Sequence, residues 1–255
     1  MADLEHVDTL RDEAKDDRKA KRFESAINKL RTAIEDLEDM LNTAREEHSA
    51  ADISKVLEVL SQTHGSPGGT WRDAAGFAKD SGALEQAEEA FANAEKSYVD
   101  GNSYEEERRR DWGAKDSYNL LQQHVVRLLR KPSLINNAEF AAKLEGVRDI
   151  IQKQFEDGRD DSWGLADLAL VQILCSADAG RVVEELEQRR LELEERHRDV
   201  IADLDKRQAQ KSFYESTCAV VTALLKEGLD QRELAVRLEE FKRLLQRKGG
   251  LKMEQ

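Results

Sequence analysis

Apolar residues recur at spacings of three and four along almost the whole chain, as amphipathic helices burying one face require. Residues 22–45 show this most plainly, with Phe23, Ala26, Ile27, Leu30, Ala33, Ile34, Leu37 and Leu41 on one stripe. Residues 2–19 carry a thinner stripe of Leu4, Val7, Leu10 and Ala14, and residues 51–63 turn Ile53, Val56, Leu57 and Leu60 inward. HGSPGG at 64–69 places three glycines and a proline in six residues, which predicts a sharp break. Two short helices follow, 70–81 and 84–99, parted at Gly82. After a loop at VDGNS and a charged run, 114–130 is strongly periodic, with Tyr118, Leu121, Val125, Leu128 and Leu129 on its buried face and Pro132 as its stop. Residues 137–156 turn Phe140, Leu144, Val147, Ile150, Ile151 and Phe155 inward. Residues 162–176 are the most apolar stretch and are expected at the centre of the second half. A long charged helix near 179–208, then 212–228 and 232–248, close the pattern. The count is about eleven helices and no convincing strand.

One stretch has more than periodicity. In Gly68–Asp100, Trp71 and Ala75 lie four apart on the first short helix, and Ala87, Phe91 and Ala94 fall at i, i+4 and i+7 on the second. The pattern resembles a tetratricopeptide (TPR) repeat: an aromatic and a small residue on helix A, a glycine at the turn, then Ala, aromatic and Ala on helix B. Trp163 and Ala179 repeat the sixteen-residue spacing of Trp71 and Ala87. Ala78 stands where the repeat carries a bulky residue, Val99 where it carries a proline, and 102–160 does not follow the repeat period. The fold expected is all-α, with antiparallel helical hairpins stacked into a TPR-like right-handed superhelix. Residues 1–101 would form the N-terminal hairpins and 102–255 would continue the array. The resemblance implies protein–protein interaction through a concave groove lined by helix A residues, among them Arg72, Gly76 and Lys79.

Composition narrows the function classes. The net charge of −13 disfavours polyphosphate partners, and 36% charged residues with two prolines suit well-solvated helices. No stretch approaches the roughly 20 apolar residues of a membrane span, and the charged first residues lack the apolar region of a secretory signal. Cys175 and Cys218 sit apart in apolar runs, without metal-ligand spacing, and are expected as buried free thiols. A cytoplasmic protein without a membrane partner is the expectation.

Catalytic patterns are absent. His6, His48, His64, His124 and His197 form no zinc-binding spacing, and no nucleophile elbow occurs. The expectation is therefore no enzyme, no metal and no cofactor. The residues picked out for partner binding are Arg72, Lys79, Tyr118, Asn119 and Gln122, with the cluster Arg108, Arg109, Arg110 and Trp112, whose residue types are enriched at binding hot spots. Glu105, Glu106 and Glu107 offer the competing account, a locally neutralised turn. The function expected is a non-enzymatic scaffold or adaptor that binds a partner protein or peptide and regulates a separately encoded effector. The alternatives are a self-assembling protein dimerising through the 181–208 helix, and a nucleic-acid accessory protein using Arg108–Arg110.

Overall fold

The computed structural model describes residues 3–159, 162–196, 214, 217–226 and 232–249. Among these the chain is all-α. Ten helices are present: α1 (Leu4–Lys19), α2 (Phe23–Glu46), α3 (Ala50–Asp80), α4 (Leu84–Trp112), α5 (Tyr118–Arg130), α6 (Ala138–Glu156), α7 (Ser162–Leu174), α8 (Ala179–Arg196), α9 (helical residues 217–226) and α10 (Arg232–Gly249). A short 3₁₀ turn at Pro132–Asn136 precedes α6. The chain forms two compact units, 1–130 and 131–255. The boundary expected at residue 101 falls inside α4.

In the first unit successive helices pack antiparallel, α1 on α2, α2 on α3, α3 on α4 and α4 on α5. Asp3 caps α1 by accepting the His6 amide at 2.9 Å. The stripe of α2 is buried as the spacing requires, through Ala26, Ile27, Leu30, Ala33, Leu37, Leu41 and Ala44. Val7 of α1 and Val56, Leu57 and Leu60 of α3 close on it to make the core. Gly82, at φ 80°, and Gly113, at φ 64°, take the left-handed conformation beyond α3 and α4.

Two expected breaks are helical. HGSPGG lies inside α3, so the helices read as 51–63 and 70–81 are one, which accounts for ten helices instead of eleven. Likewise VDGNS and the charged run after it continue α4 to Trp112. Three glycines and a proline cost a helix interior roughly 1 kcal/mol each for glycine and about 3 kcal/mol for proline. That cost is offset by the close packing that residues without a Cβ allow.

In the second unit α7 packs against α6, α8 and α10, the central position its apolar sequence predicts. Asn137 caps α6, accepting the Phe140 amide at 3.0 Å. Phe140, Leu144, Val147 and Ile151 are buried, but Ile150 is 42% exposed, because the buried stripe follows 144, 147 and 151 and leaves 150 beside it. Glu187 of α8 accepts the hydroxyl of the buried Tyr214 and pairs with Arg190 at 3.3 Å. Ala179 is buried, while the Trp163 side chain lies outside the described residues. The proposed seam over 181–208 is described as far as Arg196, where Leu191 is exposed; its remainder lies outside the described residues.

Candidate functional site

Gly65, Gly68 and Gly69 occupy positions i, i+3 and i+4 of α3 and so share one face. That face is pressed against polar and aromatic side chains. A Cβ on Gly65 would lie 2.9 Å from the Tyr118 ring, and one on Gly68 would lie 2.7 Å from that of Tyr98. A Cβ on Gly69 would meet the Arg18 guanidinium at 2.9 Å. From α4, Gly101 admits Asn119 in the same way, at 2.7 Å. The Tyr98 and Tyr118 rings meet edge to face, 6.0 Å between centroids.

Glu105 is the polar centre of this junction. Its carboxylate, buried in α4, accepts the Asn119 amide N–H at 2.9 Å, the Asn119 side-chain amide at 2.9 Å and the Leu120 N–H at 3.3 Å. Those backbone groups are in the first turn of α5, where helices leave N–H groups unpaired and the dipole favours negative charge. Glu105 therefore caps α5 from another helix. Burial pushes its pKa above the ordinary range, while these donors and Arg109, 3.4 Å away, pull the other way. Asn119 also donates to the Ser61 carbonyl at 2.8 Å, tying α5 to α3.

The arginine cluster divides. Arg108 is buried, reaching Glu58 at 3.2 Å and pairing closely with Asp116. Arg109 donates to the Asp116 carbonyl at 2.6 Å and to Asn102 Oδ1 at 3.1 Å. Arg110 is exposed and forked onto its neighbour Asp111, both contacts at 2.8 Å. Trp112 is half-buried against the core of α1, α2 and α3. The three acids beside the cluster do not act as one: Glu106 accepts from Asn102, and Glu107 pairs with Arg45 of α2.

The remaining candidates lie further along α3 and α5. Arg72, half-buried, donates to the buried Gln122 at 3.0 Å. Lys79 is exposed in the last turn of α3. Tyr118, expected on the buried face, is 41% exposed, because the first turn of α5 turns Asn119 towards Glu105 instead. Asn119, picked for binding, is buried in the junction. Of the packing residues, Ala75, Ala87, Phe91 and Ala94 are buried and Trp71 is half-buried.

Sequence reasoning missed Glu105 as a cap, Tyr98 as the residue seated on Gly68, and the orphaned groups of the junction. Tyr98 Oη, His64 Nε2, Arg108 Nε and Asn119 Oδ1 are buried without a hydrogen-bond partner. The available signal was the common helical face of the three glycines. Among the described residues no group of three or more His, Cys, Asp or Glu could hold a metal ion, and no helix is long and apolar enough to cross a membrane. Compared with known proteins, the chain matches no family model and no curated protein.

Proposed function

We propose that the chain is a non-enzymatic interaction scaffold whose first unit is a TPR-like array of helical hairpins, regulating a separately encoded effector by holding it. The observation that carries this reading is the contact between alternate helices. Arg18 of α1 pairs with Asp73 of α3 at 2.7 Å, and Arg72 of α3 bonds Gln122 of α5. On the other layer Tyr104 of α4 donates to Glu38 of α2 at 3.1 Å, and Arg45 of α2 pairs with Glu107 of α4 at 2.7 Å. These contacts link α1 to α3, α3 to α5 and α2 to α4, and they support the two-layer order that a hairpin solenoid would have.

The partner surface in this reading is the odd-numbered layer around Lys79, Tyr118 and the exposed edge of Arg72. Arg108 and Arg109 are occupied inside the fold and leave little charge for nucleic acid. Affinity capture from the native cell tests the assignment, comparing wild type with Lys79→Glu and Tyr118→Ala. Lys79 is exposed, whereas Tyr118 also packs on Gly65 and Tyr98, so loss of a partner reports on contact once circular dichroism and the urea midpoint of Tyr118→Ala match those of wild type. The partner should be weakened by both changes; full retention by both overturns the surface.

A further inference from the structure

A cleft of about 560 Å³ opens where the start of α1, the C-terminal half of α2 and the first turns of α3 converge. Its floor is apolar. Leu4 and Met40 are half-buried there against the core, and Val56 is buried beneath them. Its rim is acidic, with five carboxylates and a single lysine, Lys55, among the residues that line it. Three of the five are engaged by the protein: Asp3 caps α1, Asp36 lies 3.6 Å from His6, and Asp52 accepts the Ser49 hydroxyl at 2.5 Å. Asp39 and Glu47 are exposed.

The volume is that of a ligand-sized site. The floor favours bulky apolar side chains, and the rim imposes a sign on whatever surrounds them. Carboxylates beside a low-dielectric wall repel an acidic partner and attract a basic one. A second copy of this chain approaches against its own charge of −13. We propose that the cleft docks an amphipathic segment of a partner protein in which one or two bulky apolar residues are flanked by lysines and arginines. The apolar residues seat on Leu4, Met40 and Val56, and the flanking cations meet Asp39 and Glu47. This is a helix-edge counterpart of known peptide-in-groove recognition. It is a different surface from the one around Lys79 and Tyr118 and does not rest on it.

The probe is a fluorescein-labelled peptide with leucines at helical spacing and lysines between them; its glutamate counterpart is the control. Fluorescence anisotropy is measured with the full chain, with Asp39→Lys/Glu47→Lys, with Met40→Ser, and with Glu89→Lys/Glu145→Lys. The last variant makes the same change in net charge at exposed positions outside the cleft. The lysine peptide should bind wild type, more weakly as salt rises. The cleft double variant should lose about tenfold or more in affinity, a difference of about 1.4 kcal/mol, Met40→Ser should also weaken it, and the distant double variant should stay within about twofold. Equal losses in the two charge variants, binding of the glutamate peptide, or no binding at low salt would overturn the proposal. If the cleft double variant fails to fold by circular dichroism, Met40→Ser decides on its own. Retained peptide binding in Lys79→Glu and Tyr118→Ala separates this site from the other surface.

Discussion

Gly68 and Tyr98 interlock across α3 and α4: a Cβ on the glycine would stand 2.7 Å from the tyrosine's Cζ. No real Cβ holds that distance, and the ring it meets is fully buried. Replacing Gly68 by Ala should therefore destabilise the first unit by about 1–3 kcal/mol through overpacking, despite the better helix propensity of alanine. Gly76, on the same helix, would meet nothing within 4 Å. There the same substitution should stabilise by roughly 0.5–1 kcal/mol. Urea denaturation of the two variants reads the contrast. If Gly68→Ala is as stable as Gly76→Ala, the close approach of the helices is wrong.

Glu105 should be among the costliest side chains to remove from the first unit. Truncation to Ala strips two first-turn N–H groups of α5 and the Asn119 side chain of their acceptor and leaves Arg109 without its carboxylate. A loss of roughly 3 kcal/mol or more is expected, as for breaking a buried ion pair by removing one partner. Glu105→Gln keeps one acceptor oxygen and should lose less. Amide hydrogen exchange at Asn119 and Leu120 gives a local readout. Protection there should fall in Glu105→Ala by more than at α1, and uniform loss across the unit would argue against a specific cap.

How much of this was legible before the fold was in view varies with the range of the interaction. The stripe of α2 is a local property, and Ala26, Leu30 and Leu37 are buried as their spacing predicts. HGSPGG reads as a break because glycine and proline mark turns when judged by propensity alone, yet it lies inside α3. At i, i+3 and i+4, however, the same glycines make room for Tyr118 of α5, Tyr98 of α4 and Arg18 of α1, and tertiary packing overrides propensity. The cap on α5 was illegible for another reason. Glu105 and Asn119 are fourteen residues apart and on different helices, so no spacing rule links them. The same holds for the pairing of Arg108 with Glu58, fifty residues away.

His64 should make stability depend on pH near neutrality. Its ring is buried 5.3 Å from that of Tyr104, and Nε2 has no partner. Burial lowers its pKa, and the carboxylates of Asp100 and Glu38 oppose this only in part. A histidine depressed in the folded state contributes stability that is present above its unfolded value of about 6.5 and is lost as pH falls below it. The slope reaches at most about 1.4 kcal/mol per pH unit for one proton. Urea midpoints compared at about pH 7.5 and about pH 5.5 should drop for the wild type and drop less for His64→Gln. An unchanged difference in the variant would assign the effect to another histidine.

The two cysteines should react slowly in the folded chain. Both are free thiols, and burial pushes each up to about 11. For Cys175 the nearby Arg148 pulls the other way, as Lys242 does for Cys218, without restoring the ordinary value. Because the thiolate is the nucleophile, a rise from about 8.5 to about 11 cuts the reactive fraction at mildly alkaline pH by roughly two orders of magnitude. Restricted access to Cys218, which is 7% exposed, slows it further. Labelling with an aromatic disulfide reagent should be at least about a hundredfold faster in urea than in buffer, with the half-buried Cys175 reacting before Cys218 in the native protein. A fast native phase equal to one thiol would place that cysteine in a polar, accessible setting and contradict the packing of α7 or α9 around it.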